Sequence, residues 1–135
     1  MIRLWIASIC LALLFTGATQ AQSEDPNPCR KSNLGTSRGA GACSDARLRE
    51  AERKLVLLEN RYRSKGTAAS GNREYTGKLF SEEEQSWRAY RNAKCAVQGD
   101  MEGGEDAWKN VWTLHCRLAE TEMRSKALRK SLAKS

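Results

Sequence analysis

Four cysteines, Cys29, Cys43, Cys95 and Cys116, follow a leader that sends them into an oxidising compartment, and they constrain the fold more than any other feature. Arg3 is the only charge before Glu24. Leu4 to Phe15 is apolar apart from Ser8, and Thr16-Gly17-Ala18-Thr19-Gln20-Ala21 follows. A positive start, a short apolar run and a small-residue site read as a signal peptide cut after Ala21. The run is too short to span a bilayer. Cys10 lies inside it and leaves with it, and Ile9 does not suit the small-residue site that lipidation of a cysteine requires. An even cysteine count in a short exported chain reads as a disulfide framework. Neighbours in sequence would pair Cys29 with Cys43 and Cys95 with Cys116. Four cysteines allow three pairings, however, and Cys43–Cys95 is a serious alternative. A metal site is the weaker use of these cysteines, since there is no CxxC and His115 is the only histidine.

The 135 residues suffice for one domain. Three segments are expected: the signal peptide at 1–21, an arm at 22–42 and a helical domain at 43–135. The arm holds Pro26 and Pro28, several glycines and no apolar period, so it reads as flexible. Ser44 is a good N-cap. From there Leu48, Ala51, Leu55, Leu58 and Tyr62 recur at helical spacing, until Ser64 and Gly66 end the run. Residues 66–73 have loop composition. Ser81-Glu82-Glu83-Glu84 reads as a capping box. The helix it marks carries Trp87, Tyr90, Ala93 and Val97 along one side, and Tyr75 to Phe80 form either an earlier turn of that helix or a separate short piece. Gly99 to Gly104 breaks the pattern. A third helix runs from about Glu105 to Leu132, with Val111, Leu114, Leu118, Thr121, Ser125, Leu128 and Leu132 on one stripe. Trp108, Trp112, Ala119 and Met123 widen that stripe enough to face two neighbours. The expected fold class is all-α: a small up-down bundle of about three helices, stapled by disulfides.

One segment reads Gln85-Ser86-Trp87-Arg88-Ala89-Tyr90-Arg91-Asn92-Ala93-Lys94-Cys95, followed by Gly103-Gly104, Cys116, Thr121, Arg124 and Leu128. This resembles the lysozyme inhibitor LprI-like N-terminal domain family, whose pattern runs QxWxxYRxxxC, a glycine-containing gap, then C, T, R and L. Cys29 and Cys43 look like the family's two early cysteines. Leu58 and Tyr62 look like its LNxxY element, with Glu59 in place of the Asn. The resemblance implies an exported helical domain with oxidised cysteines, and more weakly an inhibitor of lysozyme. It supplies no inhibitory motif to carry over residue by residue.

Trp87 lies three and four residues before Tyr90 and Arg91, so the three can meet on one helical face. Either they form a ligand-binding aromatic patch, or they form a core face with an arginine reaching out of it. The second is the simpler reading. Gln85, Thr121 and Arg124 suit a buried hydrogen-bond network that fixes helix register. His115 has no evident partner, and no carboxylate spacing marks an acid–base pair. A non-catalytic binding protein is therefore expected, and no cofactor is implied.

Charge is uneven. Asp100, Glu102, Glu105 and Asp106 form a stretch with no basic residue, in the gap between two helices. It reads as a solvated loop, or as an acidic tip contacting a basic partner such as an animal-type lysozyme. The C-terminal stretch is basic and suits weak contact with anionic envelope surfaces. Export argues against a nucleic-acid partner. Losing Arg3 with the leader removes one unit from the net charge of +7. The chain stays basic, so long-range repulsion opposes a basic lysozyme and only the acidic stretch favours the encounter. The alternative role is a structural or interaction protein of the cell envelope without inhibitory activity.

Overall fold

The computed structural model describes residues 27–134. The signal-peptide reading of 1–21, Cys10 and the first part of the expected arm lie outside the described residues. Three long helices follow a short 3-10 turn at Lys31–Asn33: α1 is Ser37–Ala69, α2 is Arg73–Met101 and α3 is Asp106–Lys134. No strand is present among the described residues. The connections are short, so the chain runs up, down and up, with each helix roughly 43–50 Å long at 1.5 Å per residue.

α3 lies within about two residues of the helix expected from Glu105 to Leu132, whereas the ends of α1 and α2 differ from the expected ones. α1 begins at Ser37 and not at Ser44, because the Thr36 hydroxyl accepts from the Gly39 amide at 3.1 Å and supplies the cap. Residues 37–42, expected in the flexible arm, are therefore helical. Ser44 sits buried inside the helix, donating to the Ala40 carbonyl at 2.8 Å. α1 also continues through Gly66 to Ala69, covering part of the expected loop. α2 starts at Arg73, where the Asn72 side chain accepts from the Tyr75 amide at 3.1 Å. The Ser81 capping box is interior to α2, with its hydroxyl donating back to the Gly77 carbonyl at 3.2 Å. Three acids after a serine suit a helix start, but nothing in them forces one.

Two glycines that read as breakers are packing devices. A Cβ on Gly66 would lie 2.5 Å from the Phe80 ring. One on Gly99 would lie 2.0 Å from Thr113 Oγ1 and 2.7 Å from the Lys109 carbonyl oxygen. Both sites let α2 approach a neighbouring helix closely.

The core runs between α1 and α3, with α2 packed more against α3 than against α1. Leu48 and Leu55 from α1 meet Val111, Leu118 and Leu128 from α3, all buried. Those positions follow the predicted stripes. The stripe on α2 does not: Tyr90 and Val97 are 59% and 61% exposed, and Ala93 faces solvent. The buried residues of α2 are Arg91, Cys95 and Gly99, spaced by four. Trp112 and Met123, expected to widen the α3 stripe, are exposed as well.

The disulfides pair Cys29 with Cys43 and Cys95 with Cys116. The first ties the segment before α1 to that helix, and the second clamps α2 to α3. Each contributes on the order of 3 kcal/mol by restricting the unfolded chain. None of the described helices is long and apolar enough to cross a membrane.

Candidate functional site

Two features stand apart from the hydrophobic core. One is a polar network where the middles of all three helices meet. The other is the tip between α2 and α3.

The network centres on Glu59, which is 4% exposed although it is a carboxylate. It occupies the inward position one turn after Leu55, so folding brings it into the bundle. Burying that charge requires paired cations, and two are supplied. Arg88 donates to Glu59 at 2.7 and 3.3 Å, and Arg124 donates its Nε–H to it at 3.2 Å. The other end of Arg124 grips Glu83 with two bonds of 2.7 and 2.5 Å. Arg91, also buried, donates to Thr121 Oγ1 at 2.8 Å and pairs with Glu52 at 2.8 Å. Thr121, fully buried, donates in turn to the Arg117 carbonyl at 2.7 Å.

The half-buried Trp87 ring lies among these guanidinium groups, at 4.7 Å from Arg124, 5.2 Å from Arg91 and 5.8 Å from Arg88. Cation–π attraction strengthens where water is excluded. The electrostatics follow from these partners. The hydrogen bond from Arg124 holds the Glu83 carboxyl below its ordinary value. Glu59 raises the pKa of Arg88. Burial works against the charge on Arg124, but Glu83 and Glu59 more than offset it, so its pKa is raised too.

The carboxylates of this network are held by guanidinium groups, an arrangement that braces three helices. Of the residues expected to act here, Trp87, Arg91, Thr121 and Arg124 come together. Gln85 is exposed and outside the network, and Tyr90 faces solvent beneath Lys94. Glu59, Arg88, Glu83 and Glu52 were not singled out as site residues. The sequence did carry a signal for Glu59, a carboxylate in register with Leu55 on an apolar stripe. His115 is exposed, with its ring edge-to-face against Trp112 at 5.7 Å. Among the described residues no cluster of three or more His, Cys, Asp or Glu side chains is placed to hold a metal ion.

At the tip, Gly103 and Gly104 have φ of +71° and +90°. A turn of this kind favours glycine, which lacks the Cβ that makes positive φ costly. Glu102, Glu105 and Asp106 are exposed, and Met101 beside them is 81% exposed. Asp106 lies in the first turn of α3, where the helix dipole favours an acid. Asp100 does not stand unopposed: Lys109 from α3 pairs with it at 2.8 Å and holds its carboxyl below the ordinary value. The turn folds a lysine nine residues away back onto the acidic stretch.

A family model described as lysozyme inhibitor LprI matches residues 29–128. The chain belongs to the LprI family. The match runs from Cys29, in the first disulfide, to Leu128, the last buried residue of α3. It therefore spans both LprI disulfides, the Trp87 network and the tip. Comparison with curated proteins and comparison with solved structures each gives no match. The LprI description is that of an inhibitor and not of an enzyme.

Proposed function

We propose that this LprI-family protein is an exported, non-catalytic inhibitor that binds a lysozyme. The observation that carries the reading is the family match across both disulfides and all three helices. The leader-like sequence before Gln22 and the oxidised cysteines support export. The contact we propose is the α2–α3 tip, through Asp100, Glu102, Glu105 and Asp106. These side chains are exposed at one end of the bundle, and the two glycines keep the turn slim. Lysozymes of the animal type are strongly basic, so the tip would draw such a partner against the repulsion of the remaining surface. The Trp87 network would hold α2 and α3 in register, so that the tip is presented on a rigid support.

Exposed charges act mostly on association rate, and salt screens them. The test is association with an immobilised animal-type lysozyme at low and high ionic strength. Changing Asp100→Asn, Glu102→Gln, Glu105→Gln and Asp106→Asn together should slow association and flatten its salt dependence, with the melting temperature little altered. A quadruple variant that associates like the parent at both ionic strengths would remove the tip from the contact. The alternative, an envelope interaction protein without inhibitory activity, takes over if the parent inhibits no lysozyme.

A further inference from the structure

A groove of about 780 Å³ lies between α1 and α3, on the turns that flank the Glu59 network and away from the tip. Its walls are Arg47 and Lys54 from α1 and Lys126 and Arg129 from α3, closed at one end by Pro28 and Cys29. The Cys29–Cys43 disulfide fixes that end wall to α1. Asp106 and Glu122 are sixteen residues apart on α3, which places the groove about 24 Å from the tip.

About half of the described cations outside the groove are ion-paired, so those of the groove stand out by lining one concave site. Ion pairs elsewhere occupy Arg49, Arg53, Arg63, Lys78, Arg88, Arg91, Lys94, Lys109 and Arg124. Among the described residues Arg47, Lys126 and Arg129 make no ion pair, and all three are exposed. Lys54 has only a share of Glu50, at 3.2 Å, beside Arg53. Three cations without an ion pair and a fourth that shares Glu50 thus line one concave site, outnumbering its two carboxylates.

We infer that this groove binds an acidic, extended peptide segment of a partner protein. Charge complementarity selects an anion. The mixed lining selects a peptide over a uniformly charged polymer. Glu50 and Glu122 also line the groove, and Ala46, Ala51 and Pro28 are apolar. A polyanion with a charge on every unit would be driven against those two carboxylates. A peptide with spaced carboxylates and small uncharged residues between them avoids that. Arg47 and Lys54 are seven residues apart on one helix, about 10 Å along its axis. An extended chain in the polyproline-II conformation turns once in three residues and rises about 9 Å over them, so every third side chain faces the same wall. Acids at every third position therefore match the α1 wall. This inference does not depend on lysozyme inhibition.

The test is fluorescence anisotropy of a labelled nine-residue peptide of Glu-Ser-Ala repeats, titrated with the chain beginning at Gln22. Binding is expected, weakening as salt rises and absent for the Lys-Ser-Ala counterpart. Lys126→Gln with Arg129→Gln should weaken it roughly tenfold, the size expected for two exposed charge pairs. Arg61→Gln with Lys65→Gln removes the same charge outside the groove and should change affinity much less. Thermal melting checks that both variants fold. Equal weakening by the two variants would show a general charge effect and overturn the site. So would binding of a sulfated glycan but not of the peptide. A third arm neutralises Glu24→Gln and Asp25→Asn, the acids just before the groove in sequence. Peptide binding that appears only in that variant would assign the groove to the chain's own segment and overturn the partner.

Discussion

At the residue scale Glu59 decides most. It stands where the family pattern implies Asn, and it is buried against two arginines. Removing one member of a buried ion network leaves the others uncompensated, which costs on the order of 3–5 kcal/mol. Glu59→Ala should lose that much stability in denaturant unfolding. Glu59→Asn should be destabilising as well, because Asn cannot neutralise Arg88 and Arg124. A variant as stable as the parent would mean that the arginines find water or other acceptors. Trp87→Ala should cost about 3 kcal/mol, the low end for a tryptophan, since the ring is only half-buried. Glu83 contributes to acid sensitivity within the network. Its folded pKa is depressed by Arg124, so its contribution is present above the unfolded value and is lost as pH falls through the folded one. A melting curve of Glu83→Gln against pH should therefore be flatter than the parent's below about pH 4.3, the usual pKa of a free glutamate.

At the scale of elements, α1 and α3 were legible because their stripes are made of Leu and Val that go inside. α2 was not. Its apolar side chains, Tyr90 and Val97, face out, while its inward face carries Arg91, Cys95 and Gly99. Periodicity finds a face by hydrophobicity, and a face made of a guanidinium, a disulfide and a glycine does not register. The network that covers Arg91 comes from other helices and is invisible to local patterns. The caps of α1 and α2 were missed for a related reason: Ser44 and Ser81 satisfy the rule for a cap, but Thr36 and Asn72 form the caps. Gly99 gives the test at this scale. Gly99→Ala drives a methyl group into Thr113 and the Lys109 carbonyl. It should cost about 1–3 kcal/mol as overpacking, although a glycine inside a helix would otherwise gain from the change. A stabilised variant would show that α2 can move away from α3 freely.

At the scale of the whole molecule, the all-α class, the helix count and the two disulfides were readable from composition and cysteine order, together with the family resemblance. The Lys109 pairing with Asp100 was not, because it depends on how the chain turns between helices. Without its two disulfides a bundle this small would rest on a narrow α1–α3 core and a charged brace. Reduction should lower the melting temperature, and loss of the buried Cys95–Cys116 bridge should loosen α2 from α3. The function proposed for the folded, oxidised molecule is inhibition of a lysozyme. The measurement is clearance of a bacterial cell-wall suspension by several lysozymes, with the purified chain beginning at Gln22 in oxidised and reduced form. Dose-dependent slowing of at least one lysozyme by the oxidised protein, lost on reduction, is expected. Undiminished lysis by every lysozyme at saturating oxidised protein would contradict it.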